Sequence, residues 1–226
     1  FGHSDWQTIV SEIKTFGSAG KKTGVVSTIN GDANVPFYKE LGNVGIDATE
    51  IPVIAFSVGE EELAGLDTSP LVGHLAAWNY FMSSESDEND AFIEAWHEFI
   101  GDDNRVTNDP MEATVIGFNL WVKAVEIAGT TEVDVVRPAM YGLTVPNLTG
   151  GIAVMNTNHH LTKPVLIGEI LDDGQFEIVY ETLAGVIGDA WTDYLPDSSL
   201  LVADWTSPIK CGNYNIKTGV CSGQNY

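Results

Sequence analysis

The sequence is short of positive charge. Ten Lys and Arg face 32 Asp and Glu among 226 residues, a formal charge of −22 at pH 7, with a pI near 4.2. That balance excludes nucleic acid as the expected partner, because phosphates want Lys and Arg. It also argues against anionic membrane surfaces. The acidity bears on solubility, not on fold. No apolar run approaches the ~20 residues that span a bilayer. Neither an initiator Met nor a leader opens the chain, which starts Phe1-Gly2-His3; a processed or partial product is expected. Catalytic signatures are missing as well: no G-x-S-x-G elbow, no P-loop and no G-x-G-x-x-G turn. Paired carboxylates are too common in so acidic a chain to argue for glycosidase chemistry. No catalytic residue, cofactor or metal is expected.

Cysteine is scarce too. Cys211 and Cys221 stand alone in a Gly- and Asn-rich tail. They read most simply as one disulfide closing a short loop, which would constrain the unfolded tail by about 2–3 kcal/mol in an oxidising compartment. Two free thiols are the alternative. The glycosylation triplet Asn147-Leu148-Thr149 is of a kind common by chance.

What is present is a core. Apolar residues make up 44% of the chain and charged ones 19%, so wholesale disorder is excluded, and the length allows one or two lobes. Ser4 or Asp5 is expected to cap a helix to about Ala19, with Ile9, Val10, Ile13 and Phe16 on one face. Thr23–Ile29, Ile51–Ser57 and about Gly73–Phe81 read as buried strands, separated by short helices carrying Val35, Tyr38 and Leu41 and then Glu60, Glu61 and Glu62. Nearly continuous apolar strands alternating with helices predict a parallel α/β sheet covered on both faces. Ligands bind such sheets at the carboxyl ends of the strands. Here those ends are Asn30-Gly31-Asp32 and Ser57-Val58-Gly59.

The middle third is helical. Phe92, Trp96, Phe99 and Ile100 form one face. Asp109-Pro110-Met111-Glu112 is a helix start with an acidic N-cap, and Met111, Val115, Phe118 and Val122 follow as its core face. A further helix, Thr131–Tyr141, is interrupted or begun at Pro138. The last third is β-rich: Pro164–Leu171, an Asp172-Asp173-Gly174 turn and Gln175–Glu181 make a hairpin. From Ala184 an ordered, irregular tail is expected. His159-His160 reads as a loop turn rather than a metal site. Glu85 to Asp90 reads as a solvated helix entry, lacking the pattern of a calcium loop. Trp96 and Trp121 are expected in the core, whereas Trp78 and Tyr80, late in a strand, are placed to line a cleft.

Four stretches carry a resemblance: Val72-Gly73-His74-Leu75-Ala76-Ala77-Trp78-Asn79-Tyr80-Phe81, Ser57-Val58-Gly59-Glu60-Glu61-Glu62-Leu63, Thr107-Asn108-Asp109-Pro110-Met111-Glu112 and Asn158-His159-His160. With them the chain resembles, along almost its whole length, the urea-binding proteins of ABC transporters, members of the type I periplasmic binding proteins. The resemblance implies two doubly wound parallel-sheet lobes around a ligand cleft, here lacking the N-terminal portion. Residues 1–82 would belong to the second lobe, 83–157 would return to the first, and 158–226 would supply second-lobe strands and the tail. It further implies urea or a short-chain amide as solute, an ABC permease and the missing N-terminal segment as partners, and a place in the periplasm or on the extracellular face of the cytoplasmic membrane. Urea offers four N–H donors and one acceptor. Asn30, Asp32 and Ser57 are candidate contacts. Asp32 either touches ligand or caps the helix that follows. Glu60 either accepts from ligand or sits at its helix N-terminus, the role favoured by its charge, and Tyr80 would stack on the ligand plane. An amide-sensing regulator on the same fold and an amidohydrolase are the alternatives.

Overall fold

The computed structural model describes residues 2–189, Tyr194, and the backbone of 214–215 and 220–221. The chain divides into two units, Phe1–Gly188 and Asp189–Tyr226.

In the first unit, helix α1 (Gln7–Gly17) precedes strand β1 (Val25–Ser27), helix α2 (Asn34–Asn43), strand β2 (Val53–Ala55), the single-turn helix α3 (Glu60–Leu63) and strand β3 (Leu75–Trp78). The start of α1 departs from expectation. Trp6 occupies the N-cap position without a side-chain cap bond. Its ring meets Phe37 edge-on at 5.3 Å, so an apolar contact rather than Ser4 or Asp5 sets the entry of the chain.

β1, β2 and β3 run parallel, with Val25 opposite Val53 and Ile54 opposite Leu75. Beyond β3 the expected parallel sheet becomes mixed. Strand β7 (Leu166–Ile170) lies antiparallel to β3, and β8 (Phe176–Glu181) antiparallel to β7, giving the order β1-β2-β3-β7-β8. β7 runs against β3 because the chain re-enters the sheet at the end where β3 left it, Asn79 bonding Pro164 there, and the hairpin turns β8 back antiparallel to β7. Val10, Phe37, Leu41, Val53, Ala55, Ala76, Leu166 and Phe176 are among the residues of the sheet's core. Gly168 is required there. Phe81 and Phe176 pack with ring centroids 4.5 Å apart, and a Cβ at Gly168 would lie 2.8 Å from the Phe81 ring.

Between β3 and β7 the chain builds a second core from α4 (Asp87–Ile100), α5 (Asp109–Ala128), α6 (Val133–Met140) and a three-stranded antiparallel sheet of β4 (Thr144–Pro146), β5 (Ile152–Met155) and β6 (Leu161–Thr162). Tyr80, Ile116, Leu120, Val145 and Ala153 lie at its centre. The packed face of α5 is Glu112, Ile116, Leu120 and Ala124, a different stripe from the expected Met111, Val115, Phe118 and Val122. Phe118 and Trp121 stack on each other at 5.9 Å and are exposed, as is Phe99 on α4. The expectation that Trp121 is core therefore fails: α5 is apolar on two faces and only one is covered. Pro138 falls inside α6, two residues before its end. Among the described residues no helix is long and apolar enough to cross a membrane.

Two crossovers join the cores and are pinned together. The Asn79 side-chain amide donates to the Pro164 carbonyl at 2.6 Å, and Lys163 forms a buried ion pair with Glu112. Burial holds the Glu112 carboxyl above its ordinary range, with Lys163 opposing. In the second unit, β9 (Tyr214–Asn215) and β10 (Val220–Cys221) pair antiparallel; the expected Cys211–Cys221 disulfide falls outside the described residues.

Removing one partner of a buried pair strands the other charge, at a cost of about 3–5 kcal/mol, whereas replacing both with apolar residues is close to neutral. Lys163→Met is therefore expected to destabilise the protein by that amount at pH 7. The double variant Lys163→Met/Glu112→Leu is expected to recover most of the loss, read by thermal unfolding of the three proteins side by side.

Candidate functional site

The parallel pairing of β1 and β2 sends both chains out of the same edge of the sheet. After β1 the chain turns sharply at Gly31, whose φ of +63° is left-handed and suits glycine alone among common residues without strain. After β2 it turns at Ser57 and Gly59. One buried side chain fastens the two turns: the Asn34 amide donates to the carbonyls of Ile29 at 3.0 Å, Gly31 at 3.2 Å and Ser57 at 3.1 Å. Above it the Ser57 hydroxyl donates to Asn30 Oδ1 at 2.7 Å. Asn30 and Ser57, far apart in sequence, thus form one polar rim.

The rim borders a cavity of about 190 Å³. Trp78 provides an aromatic wall, and its indole N–H is tied to the Val58 carbonyl at 2.5 Å. Asn108, Asp109 and Pro110, the first residues of α5, close the opposite side, and Glu62 and Gly59 complete the lining. Larger, more open depressions lie on α4 beside His97 and between Ser83 and Glu181; neither collects the ends of the parallel strands.

Three backbone N–H groups at this edge are already taken. Gly59 N–H donates to Glu62 Oε2 at 2.8 Å, Met111 N–H to the Asn108 side-chain oxygen at 3.1 Å, and Asn79 N–H to Asp109 Oδ2 at 2.9 Å. Both carboxyls are pushed above their ordinary range, chiefly by burial. The cavity therefore presents acceptors, and neither Lys, Arg nor His lines it.

The remaining candidates lie elsewhere. Tyr80 is fully buried. Its hydroxyl bonds Asn89 Oδ1 and Thr107 Oγ1, each at 2.7 Å, and its ring meets Phe92 edge-on. It is a core anchor, not a stacking plane, because the crossover carries the chain inward directly after Trp78. Glu60 is also buried. One carboxyl oxygen accepts the Met82 N–H at 2.6 Å and the other has no partner. Burial, with the nearby Glu62 and Asp109 charges adding to it, pushes its pKa up to about 8. Its place is the helix start and the crossover rather than the cavity. Asp32 stands exposed in the turn before α2, outside the cavity lining. Sequence reasoning missed Glu62, Asn108 and Asp109 as lining residues. Asp109-Pro110 read as a helix cap; the cap is in fact Asn108, and only the meeting of α5 with the sheet edge brings it to the cavity. His159 sits in a loop turn at positive φ, as its sequence implied.

Residues 1–197 match the periplasmic binding protein domain. The chain belongs to that family. Its fold is that of the type I periplasmic binding proteins. It is similar to a solute-binding protein of an ABC transporter from Rhodopseudomonas palustris HaA2 in complex with p-hydroxybenzoic acid, with a TM-score of 0.69 and 21% identity over 82% of this chain and 50% of that one. A branched-chain amino acid ABC transporter ligand-binding protein from Burkholderia xenovorans LB400 gives a TM-score of 0.64 and 14% identity over 82% and 49% of the two chains. The limonene hydroxylase of Geobacillus stearothermophilus is 31% identical over 110 residues, 49% of this chain and 20% of that protein. The chain spans about half the length of these structural neighbours. Identities this low speak to fold alone.

Glu60 generates a pH signature. Its folded pKa of about 8 exceeds that of an exposed glutamate, so the folded state holds a proton that the unfolded chain releases. Its contribution to stability is fully present below the unfolded pKa and declines as pH rises toward 8. Glu60→Gln keeps an acceptor for Met82 N–H without a titrating proton. The difference in melting temperature between variant and parent is expected to move in favour of the variant from pH 5 to pH 8. A pH-independent difference would remove Glu60 as the source.

Proposed function

We propose that this chain is part of the extracytoplasmic solute-binding component of an ABC transporter, taking urea or a short-chain amide at the strand-end cavity and delivering it to the permease. The observation that carries the reading is the joint rim of Asn30 and Ser57 beside an acceptor-lined cavity walled by Trp78. Family membership supports the transport role. So do the names of the structural neighbours, which are ABC-transporter solute-binding proteins.

The chemistry follows from the ligand. Urea is planar and neutral, and its four N–H groups need acceptors. Asn30 and Asn108 bring side-chain carbonyls, Glu62 and Asp109 carboxylates, and Ser57 a hydroxyl. Trp78 presents an apolar ring to a flat solute. Residues 83–157 would belong to the first lobe and the five-stranded sheet to the second, so that the cavity lies at the junction and closure of two lobes completes it. In a full two-lobed protein of this fold the remainder of the first lobe would supply the facing wall. The setting is the periplasm or the outer face of the cytoplasmic membrane.

Titration calorimetry on the full-length protein tests the reading. Urea is expected to bind more weakly than tens of micromolar, the limit that about four heavy atoms set. Ser57→Ala is expected to weaken it by about tenfold, the worth of one hydrogen bond, and Asp32→Ala by less than twofold, because that side chain lies outside the cavity. Absence of urea and amide binding would overturn the assignment.

A further inference from the structure

We infer that the strand-end cavity is built for planar N–H cations, guanidinium and amidinium among them, in preference to neutral amides, and that it rejects carboxylates. This rests on the solute-binding reading above and names the ligand class of the same site.

Carboxylate recognition at such an edge needs free donors: backbone N–H groups at helix starts, or Arg and Lys side chains. Here three backbone donors beside the cavity are satisfied from within the chain. Glu62 takes the Gly59 N–H, Asn108 takes the Met111 N–H, and Asp109 takes the Asn79 N–H beside them. The favourable end of the α5 dipole is met by its own Asp109 and Glu112. No basic side chain lines the cavity, and Lys163, the nearest cation acting on Asp109, is buried against Glu112. An entering anion would meet two carboxyls and no basic side chain, whereas a cation would find those carboxyls in surroundings where burial strengthens charge interactions.

Shape narrows the cation. Trp78 contributes a flat aromatic wall, and a planar delocalised cation gains from an indole face. Its N–H groups fan out in several directions and so can reach more than one of the acceptors of Asn30, Asn108, Glu62 and Asp109 around a small cavity. A compact ammonium offers three donors and no face to the ring. Guanidinium matches urea in size and shape and differs by its charge, which makes the pair a clean comparison.

The test is calorimetry on the full-length protein at pH 8, with urea, guanidinium chloride, benzoate and glycine at matched ionic strength. Guanidinium is expected to bind at least tenfold tighter than urea, with benzoate and glycine silent. Glu62→Gln and Asp109→Asn keep acceptor oxygens and remove charge. Each is expected to weaken guanidinium at least tenfold more than urea, reversing the preference, while circular dichroism confirms that the variants remain folded. Urea binding equal to or tighter than guanidinium in the parent overturns this inference and leaves the solute-binding reading standing. Equal losses for the two solutes in both variants overturn it likewise. Binding of benzoate or glycine with no binding of urea or guanidinium overturns both.

Discussion

The parallel register of β1 and β2 is the constraint on which the rest of the site depends. Val25 opposite Val53, Val26 opposite Ile54 and Ser27 opposite Ala55 put the two outgoing chains side by side at one edge. A slip of one residue would turn every side chain to the other face, removing Val53 and Ala55 from the core and separating Asn30 from Ser57. The register is held at the carboxyl end, and β2 is fastened to the approach to β3 at the other. At the carboxyl end Asn34 bonds both turns. Near the other end His74, buried, accepts the Val53 N–H at 3.1 Å, with burial holding its pKa below the usual histidine range and so favouring the neutral ring. Two buried polar side chains thus specify what an apolar sheet alone would leave loosely determined.

The crossovers impose the second constraint. The chain leaves the sheet after Trp78 and returns at Pro164, and the two passages lie close enough for Asn79 to bond Pro164. Carboxylates from both cores gather here: Glu60 from α3, Asp109 and Glu112 from α5. Each takes a different solution. Glu112 has Lys163. Asp109 accepts a backbone N–H at the junction. Glu60 keeps a proton near neutrality. Acidic pressure concentrated at one junction explains why a chain so poor in Lys places one in the interior.

Much of the architecture was legible in the sequence because period-2 and continuous apolar runs report burial directly. Val25–Ser27, Val53–Ala55 and Leu75–Trp78 lie inside the strands expected, and Asn30 and Ser57 stand at the ends expected. The hairpin was readable from Asp172-Asp173-Gly174, yet its antiparallel return within the sheet concerns topology, which periodicity does not encode. Tyr80 was misplaced for a related reason. A residue two positions after Trp78 is read as the continuation of a strand, but the crossover begins there and buries it. The face of α5 failed because the helix is apolar on two sides, so spacing alone could not choose between Ile116-Leu120-Ala124 and Phe118-Trp121. Glu62 and Asp109 were hidden by their own local roles: a capping-box glutamate and a helix-start aspartate look complete in sequence, and only three dimensions turn them toward a shared cavity.

With urea or a short amide as the proposed solute, ligand size would limit a transport cycle. About four heavy atoms yield no more than roughly 6 kcal/mol of binding free energy. Driving a two-state closure from one part in a hundred to ninety-nine requires about 5.5 kcal/mol of differential affinity. A solute this small can do so only if nearly all of its binding energy is expressed in the closed form. Contacts made equally in the open form contribute nothing to closure. The rim of Asn30 and Ser57 is already paired in the absence of solute, so it is preorganised and carries little ordering cost. On the proposed reading, closure would draw on groups that the solute reaches only when the facing wall arrives, and the unliganded lobes would sit near balance rather than far toward the open side. For so slight a ligand, the strength of the open sheet edge would matter less than how little free energy separates the two positions of the lobes.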